Sequence, residues 1–287
     1  MPETTRIFTA LEDSAYLQFY HIMHYPVPKN WCFFVDEKKK KADLPEINSS
    51  FSRENKNEQM DEYLIEIEKH NKLYQSLPFV DQIFLCNSIT FNALKKDSDI
   101  DLFIITRPGR IWTAKFFAMI MTFFSGMKRT FRKKAKKFCL SFFVSYDYQN
   151  LYSISLKGVD IYLIYRLAHL VLLYQADEDL PVKIWETNKW IKGVLPYFPL
   201  KQSIWLGNKV FTGRSRFKRC AEWLLDGILG DLVEFILKII QLFVIFLKKI
   251  WNWRKNRDVI TNKKMLKFHH DVRKKVALKY AVVKKEK

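Results

Sequence analysis

Cysteine is scarce in this sequence, and its distribution limits the kind of protein that the chain can be. Only four of the 287 residues are cysteine, at positions 32, 86, 139 and 220. They are scattered along the chain, and no two of them have the C-x-x-C spacing of a zinc or redox motif. We therefore interpret them as reduced core thiols of a cytoplasmic protein, not as a disulfide framework.

Hydrophobic runs long enough to cross a bilayer are also missing. A membrane-spanning helix needs about 20 consecutive apolar residues. The apolar run Ile239–Leu247 covers nine residues and contains Gln241, and the segment Trp112–Met127 is interrupted by Lys115. The first residues contain no basic segment followed by an apolar one, so we predict no secretory signal there.

Acidic residues are in the minority. The chain has 30 Asp and Glu against 49 Lys and Arg, which gives a formal net charge of +19. Such an excess predicts attraction to polyanions, which include nucleic acid, nucleotides and an anionic membrane surface. Hydrophobic residues make up 48% and aromatic residues 16% of the chain, enough for a substantial core, so global disorder is not expected.

Changes in composition divide the chain into three parts. Residues 1–60 hold a helix over Thr9–Met23 and then a polar linker rich in Lys, Asn, Ser and Glu. Residues 61–200 alternate apolar segments with turns and are expected to form the main domain. Residues 201–287 are basic and helical in pattern. At this length the expected organisation is one large domain, or one domain with appendages.

The centre of the main domain is the stretch 80–106. The apolar run 80–85 is followed by Cys86-Asn87-Ser88, and a second apolar run covers 100–105. Both runs have the pattern of strands buried inside a sheet. Asp99 and Asp101 stand at the start of the second run. Because side chains along a strand alternate between its faces, both carboxylates are expected to point to the same face.

Two carboxylates at the mouth of a buried strand are costly unless a positive charge lies between them. Oxygen ligands at this spacing suit Mg²⁺, which takes the rest of its coordination shell from water and substrate phosphates. The alternative is that Asp97-Ser98-Asp99 is a solvated turn with no ligand. Taken alone, the Asp-Ser-Asp motif favours the solvated turn; the sequence around it reverses that preference.

The surrounding residues resemble the nucleotidyltransferase fold of the DNA polymerase beta superfamily. That superfamily has a Gly-Ser turn, a short helix, and Asp-x-Asp before apolar residues. Ser88, Asp99 and Asp101 match this pattern, and Asn87 stands where glycine is usual. Asn tolerates the left-handed backbone better than most residues, so the turn is compatible. The run KKDSDIDLFIIT is similar to that of uncharacterised bacterial and archaeal nucleotidyltransferase-domain proteins.

This resemblance implies an α/β (α+β) fold with a small mixed sheet backed by helices, followed by a helical C-terminal region. It implies Mg²⁺-dependent transfer of a nucleotidyl group from an NTP, with Asp99 and Asp101 on the metal and Asn87 and Ser88 at the triphosphate. Many members have a third acid in the next strand, here Phe138–Tyr146, which contains none. We expect Asp147, just after that strand, to take the role; the alternatives are that the site works with two acids or that activity is lost. The alternative is a non-catalytic module of the same fold that binds nucleic acid or an anionic membrane surface.

Two further segments predict partners. The run Lys128–Lys137 holds seven positive charges in ten positions, with Phe131 among them. It is either a solvated loop or a patch that contacts the backbone of RNA or DNA. The segment 221–253 has the pattern of one long amphipathic helix. We expect it to pack on the domain or pair with another chain; the alternative is that it lies on a membrane surface.

Four other segments are predicted as helices or helix starts from their apolar periodicity. These are Asp61–Leu77, Trp112–Met127, Gly158–Leu173 and Trp185–Leu195. Asp160 is expected near the start of the third of these helices, where the helix dipole stabilises an acid without any catalytic role.

Overall fold

The structure is a computed structural model. It describes residues 19–20, 22–23, 25, 59–130, 133–156, 160–195, 198, 210–251, 259–268, 273, 276 and 278, with no side-chain description for 248–251. The polar linker, Phe131, Cys32 and most of the helix predicted over Thr9–Met23 lie outside these residues. Positions 19, 20, 22 and 23 are helical.

The described chain alternates helices and strands. The helices are α1 (Met60–Lys69), α2 (Asn71–Ser76), α3 (Ile111–Phe124), α4 (Ile161–Ala168), α5 (Ile184–Thr187), α6 (Arg216–Leu224) and α7 (Gly227–Trp251). The strands are β1 (Val80–Cys86), β2 (Ile100–Thr106), β3 (Phe138–Ser145), β4 (Val171–Gln175), β5 (Phe211–Thr212), β6 (Ile260–Thr261) and β7 (Met265–Lys267). Short 3₁₀ helices cover Asn87–Ile89, Tyr152–Ile154 and Lys189–Gly193.

All seven strands form one mixed sheet, in the order β5-β4-β1-β2-β3-β7-β6. β1 is antiparallel to both of its neighbours, β2 and β4, whereas β2 and β3 are parallel. The predicted mixed sheet with helices is therefore confirmed, and so is the position of the third strand beside the second. The central strands β1 and β2 are flanked on both sides, which explains why they are apolar on both faces.

Each face of the sheet is covered by its own apolar cluster. On one face Phe84 and Phe103 pack with residues of α4, and on the other Ile83 and Ile104 pack with α1, α2 and α3. Trp112 of α3, 1% exposed, is the largest fully buried side chain. Alternation along β2 places Asp101 on the same face as Phe103, the face that α4 covers.

Two of the predicted helices were wrong in part. The segment Gly158–Leu173 is not one helix, because α4 ends at Ala168 and the chain then pairs with β1 as strand β4. Apolar residues on both faces fit a buried helix and a central strand equally well, and the pairing partner decides between them. The segment Trp185–Leu195 forms only the short helix α5 and a 3₁₀ turn.

The two long predicted helices are each divided. Residues 61–77 form α1 and α2 with a break at His70. The segment 221–253 is shared between α6 and α7, and Gly227 at the junction has φ +68°, a conformation that other residues rarely adopt. Of the helices in the described part of the chain, none combines the length and the apolarity that a bilayer crossing requires.

Residues beyond 200 contribute to the sheet as well as to helices. Strands β5, β6 and β7 come from this region, so it is not purely helical. Glu222 of α6, 4% exposed, accepts a hydrogen bond from the backbone N–H of Phe79 at 2.8 Å. Its other oxygen lies 3.0 Å from both Arg107 and Arg214. These contacts attach α6 to the residue that precedes β1.

The cysteines are only partly as expected. Cys86 and Cys139 are buried and free, in agreement with the interpretation as reduced core thiols. Cys220 is also free, but it is exposed on α6, so its prediction as a core thiol was wrong.

Candidate active site

Asp99 and Asp101 lie where β2 begins, in the middle of the sheet. Asp101 is paired across the strands with Cys86 of β1 on one side and Cys139 of β3 on the other. Side chains paired in this way point to the same face of a sheet. The ligand atoms of Asp99, Asp101 and Cys139 all lie within 4.8 Å of one another. The two carboxylates therefore converge, as the sequence predicts, and a thiol completes the cluster.

The turn after β1 forms one wall of this cluster. Asn87 has φ +61°, so it adopts the left-handed conformation that the usual glycine would adopt there. Its carbonyl accepts hydrogen bonds from the N–H and the hydroxyl of Thr90, both at 2.9 Å, which closes a 3₁₀ turn. The Asn87 side chain lowers the pKa of Asp101 and so opposes part of the rise that burial causes. Ser88 follows in the same turn and is half-buried.

Arg129 enters the site from the basic run 128–137. Its Nη1 lies 2.7 Å from Oδ2 of Asp99 and donates a hydrogen bond to the sulfur of Cys139 at 3.3 Å. The contact with Asp99 is an ion pair without an aligned hydrogen bond, and among the described residues Oδ2 of Asp99 is a buried oxygen that receives none. Oδ2 of Asp99 thus has a charged partner in Arg129 but keeps hydrogen-bonding capacity.

Arg166 supplies a second positive charge from the face of the sheet that α4 covers. It lies on α4, is 3% exposed and donates a hydrogen bond to the sulfur of Cys86 at 3.4 Å. Its guanidinium also lies over the ring of Phe142, 5.0 Å from the centroid. The sequence reasoning missed Arg166. The available signal was a lone arginine within the otherwise apolar helix IYLIYRLA.

Burial and like charge both act on the acids and thiols of the cluster. Burial raises the pKa of Asp101, the neighbouring Asp99 carboxylate raises it further, and the Asn87 hydrogen bond and the Arg166 charge partly oppose them. Burial likewise raises the pKa of Cys139 well above its usual range and that of Cys86 to about 11. Both thiols are therefore protonated at neutral pH. A cation bound between the two carboxylates would reduce the repulsion between them.

This donor set fits a divalent cation at the two carboxylates. Asp99 offers a buried oxygen that is ion-paired with Arg129 at 2.7 Å, and the ligand atoms of Asp99 and Asp101 lie within 4.8 Å of each other. Mg²⁺ binds through one or two carboxylates and keeps several waters. A protonated thiol is a poor ligand for such a hard cation. Asp99 and Asp101 would thus hold the ion, and Cys139 lines the site without adding a magnesium ligand.

Asp147 does not belong to this cluster, and the expectation that it would join the pair was wrong. β2 and β3 are parallel, so the end of β3 lies beside Thr106, at the opposite end of these two strands from Asp101. Cys139 and Ser145 are six positions apart along the strand, which is about 20 Å at ~3.3 Å per residue. Asp147 instead accepts a hydrogen bond from the hydroxyl of Ser145. Asp160 is the N-cap of α4, as expected, and accepts a hydrogen bond from Leu163 N–H at 3.0 Å.

The basic run borders the mouth of the site. Backbone hydrogen bonds join Lys136 N–H to Ser98 O at 2.9 Å and Ile100 N–H to Lys137 O at 2.8 Å, so the run ends beside the two acids. Lys133 and Lys134 are exposed to solvent next to this edge. Arg129 is paired with Asp99 and Lys136 with Glu62, so Lys133 and Lys134 are the lysines of this edge that we expect to meet an anionic ligand.

Comparison of the chain with protein-family models, with curated proteins and with solved structures gives no significant match. The assignment of a function therefore depends on the geometry and chemistry of the cluster itself.

Proposed function

We propose that the protein is a Mg²⁺-dependent nucleotidyltransferase that moves a nucleotidyl group from an NTP to an acceptor hydroxyl. The observation that carries this proposal is the convergence of the carboxylates of Asp99 and Asp101 at the mouth of the sheet, where their ligand atoms lie within 4.8 Å of each other. A buried carboxylate pair in this state is expected to be stabilised by a bound divalent cation.

Each wall of the site has a role in this proposal. The bound cation would neutralise charge on the triphosphate and on the group that leaves. The turn at Asn87 and Ser88 would bind triphosphate oxygens through its backbone N–H groups and the serine hydroxyl. Lys133 and Lys134 would attract the nucleotide or a nucleic-acid acceptor. Catalysis would come from positioning and charge stabilisation and would need no covalent intermediate with the protein.

The proposed reaction makes one bond to phosphorus and breaks one. The acceptor hydroxyl oxygen bonds to the α-phosphorus, the bond to the bridging oxygen breaks, and pyrophosphate leaves with that electron pair. Cys139 stands beside the carboxylates, and burial raises the pKa of its thiol well above the usual range, so it is a poor proton acceptor at neutral pH. The acceptor proton therefore goes to solvent in this scheme.

A second candidate is a non-catalytic module of the same fold that binds nucleic acid. Two observations favour it. β3 presents Cys139 beside the pair where a third acid would be needed, and Arg129 already supplies a positive charge to Asp99 at 2.7 Å. In this alternative the charge of Arg129 takes the place of the cation, and the site keeps its fold but catalyses no reaction.

Transfer of label separates the two candidates. Purified protein is incubated with Mg²⁺ and each α-labelled NTP, with and without total RNA, and labelled RNA and labelled protein are resolved on gels. We expect label transfer by the wild type, loss of transfer in Asp99→Asn and Asp101→Asn, and wild-type transfer in the exposed control Asp97→Asn. Binding of RNA without any label transfer by the wild type would instead support the non-catalytic module.

A further inference from the structure

We propose that α7 docks the protein on the surface of an anionic lipid bilayer, with its outward face buried among the lipids. The outward side of this helix is apolar along most of its length. Its members are at least 41% exposed, and Ile228 is 89% exposed. They are Ile228, Leu229, Leu232, Phe235, Ile236, Ile239, Ile240, Phe243, Val244, Phe246 and Leu247. Exposed apolar patches of this extent mark sites of protein or membrane binding.

Glu234 and Gln241 of α7 face the domain, which is the reverse of an ordinary surface helix, and Asp231, whose side chain is 70% exposed, also contacts it. Glu234 accepts hydrogen bonds from the backbone N–H groups of Trp112 and Thr113, at 3.0 and 2.8 Å. Gln241 donates to the carbonyl of Trp112 at 2.9 Å. Asp231 is ion-paired with Arg110 at 2.5 Å. These contacts fix the helix in this orientation, so the apolar side cannot turn inward without breaking them.

The width of the apolar side favours a bilayer over a second copy of the chain. At 100° per residue the exposed positions cover about half of the helix circumference. A two-stranded coiled coil uses a narrower seam, two positions in seven, with charged residues beside it. No Lys, Arg, Asp or Glu lies among the outward positions named above. A helix of 25 residues is about 37 Å long, and a wide apolar face of this length is typical of helices that lie in the plane of a membrane interface.

Charge complementarity identifies the bilayer as anionic. α6 exposes Arg216 and Arg219 together with Phe217 and Trp223, and the sequence of the last turn of α7 contains the basic pair 248–249. Glu222 is paired with Arg107 and Arg214, Asp231 is paired with Arg110, and Glu234 accepts hydrogen bonds from α3, whereas Asp226, between the two helices, accepts a hydrogen bond from Gly227 N–H. Basic residues beside an apolar face strengthen binding to anionic headgroups.

Nucleic acid would use the same positive charge but not the apolar side chains. Stacking on bases requires aromatic rings, whereas most of the outward positions are Ile, Leu or Val. These aliphatic side chains have a favourable place only in hydrocarbon or against another apolar surface. Lipid is therefore the partner that accounts for the apolar face and the basic residues together.

Co-sedimentation with vesicles tests this proposal. The full chain is mixed with vesicles of phosphatidylcholine alone or of phosphatidylcholine with phosphatidylglycerol. The double variant Phe235→Gln/Ile239→Gln removes outward apolar surface, and Gln is a good helix former. The matched control Ile65→Gln/Tyr152→Gln changes two side chains that are 67% and 65% exposed elsewhere. Light scattering after size exclusion measures the oligomeric state of each protein.

We expect monomeric wild type and control to bind the vesicles with phosphatidylglycerol, more weakly as salt is raised, and the α7 variant to bind at least about tenfold more weakly. Equal binding by the α7 variant and the wild type would overturn the proposal. So would a wild-type dimer that becomes monomeric in the α7 variant and does not bind vesicles, since the face would then join two copies. Loss of binding to total RNA in the α7 variant, without any vesicle binding by the wild type, would assign the face to nucleic acid.

Discussion

His169 should make the protein sensitive to acid, and replacing it with glutamine should remove much of that sensitivity. The ring follows α4, is 5% exposed and packs against Phe91 with 4.4 Å between ring centroids. Its Nε2 lies 3.3 Å from the hydroxyl of Tyr20. Burial lowers the pKa of His169 from 6.5 to about 3. Over the pH range between these two values, the imidazole is therefore neutral in the folded protein, whereas the same histidine is already protonated in the unfolded chain.

The size of the effect follows from this shift. A difference between 6.5 and about 3 corresponds to about 5 kcal/mol, at about 1.4 kcal/mol for each pKa unit. Because the unfolded state binds the proton first, stability falls as the pH falls from 6.5 toward 3 and is unaffected above that window. At a pH of about 4.5 roughly 3 kcal/mol of the free energy of unfolding should already be lost through this residue.

Urea denaturation at neutral pH and at a pH of about 4.5 measures the loss. His169→Gln keeps a side chain that can bond to Tyr20 but cannot be protonated, so it should lose about 3 kcal/mol less than the wild type between the two pH values. Tyr20→Phe, which removes the hydroxyl and keeps the histidine buried, should show the wild-type loss. Equal losses in the wild type and His169→Gln would refute the assignment of the acid sensitivity to this ring.

Three other outcomes follow from the structure. Glu222→Gln should lower the free energy of unfolding by about 3 kcal/mol, because it leaves Arg107 and Arg214 without their shared buried anion; a loss below about 1 kcal/mol in urea denaturation would argue against this network. Asp101→Asn should raise the free energy of unfolding, measured in a chelator, by about 1 kcal/mol. The carboxylates of Asp99 and Asp101 lie within 4.8 Å and repel each other by about 3 kcal/mol at an effective dielectric near 20, and Arg129 offsets part of this repulsion. A lower free energy of unfolding in the variant would contradict this reasoning. Asp147→Asn should leave label transfer at the wild-type rate, and a loss of turnover would contradict the placement of Asp147 at the end of β3 that is remote from Asp101.

The central strands could be predicted because their sequence is constrained from both sides. β1, β2 and β3 are buried on both faces, so their apolar runs are long and unambiguous, and the acids at the start of β2 interrupt them visibly. β4 follows α4 after only two residues, His169 and Leu170, and its apolar residues extend the helical pattern without a turn signal. β5, β6 and β7 have two or three residues each, too few for any periodicity.

The acidic half of the candidate site could be read from the sequence, whereas its cationic half could not. Asp99, Asp101 and the turn at Asn87 are close in sequence and share one local pattern. Arg166 reaches the site from a helix that packs against the sheet 65 positions after Asp101, and no local pattern connects the two. Because β3 is parallel to β2, Asp147 lies at the end of the strands that is remote from Asp101. The sequence predicts which strands are adjacent more readily than it predicts their direction.

We propose that Asp99 and Asp101 together hold the divalent cation that accompanies the nucleotide. Electron paramagnetic resonance with Mn²⁺ in place of Mg²⁺ measures it directly, because bound and free Mn²⁺ give different signals. The wild type and the exposed control Asp97→Asn should bind Mn²⁺, and more tightly in the presence of a non-hydrolysable NTP analogue. The double variant Asp99→Asn/Asp101→Asn should lose both the binding and its enhancement. Equal Mn²⁺ binding by the double variant and the wild type would contradict the account.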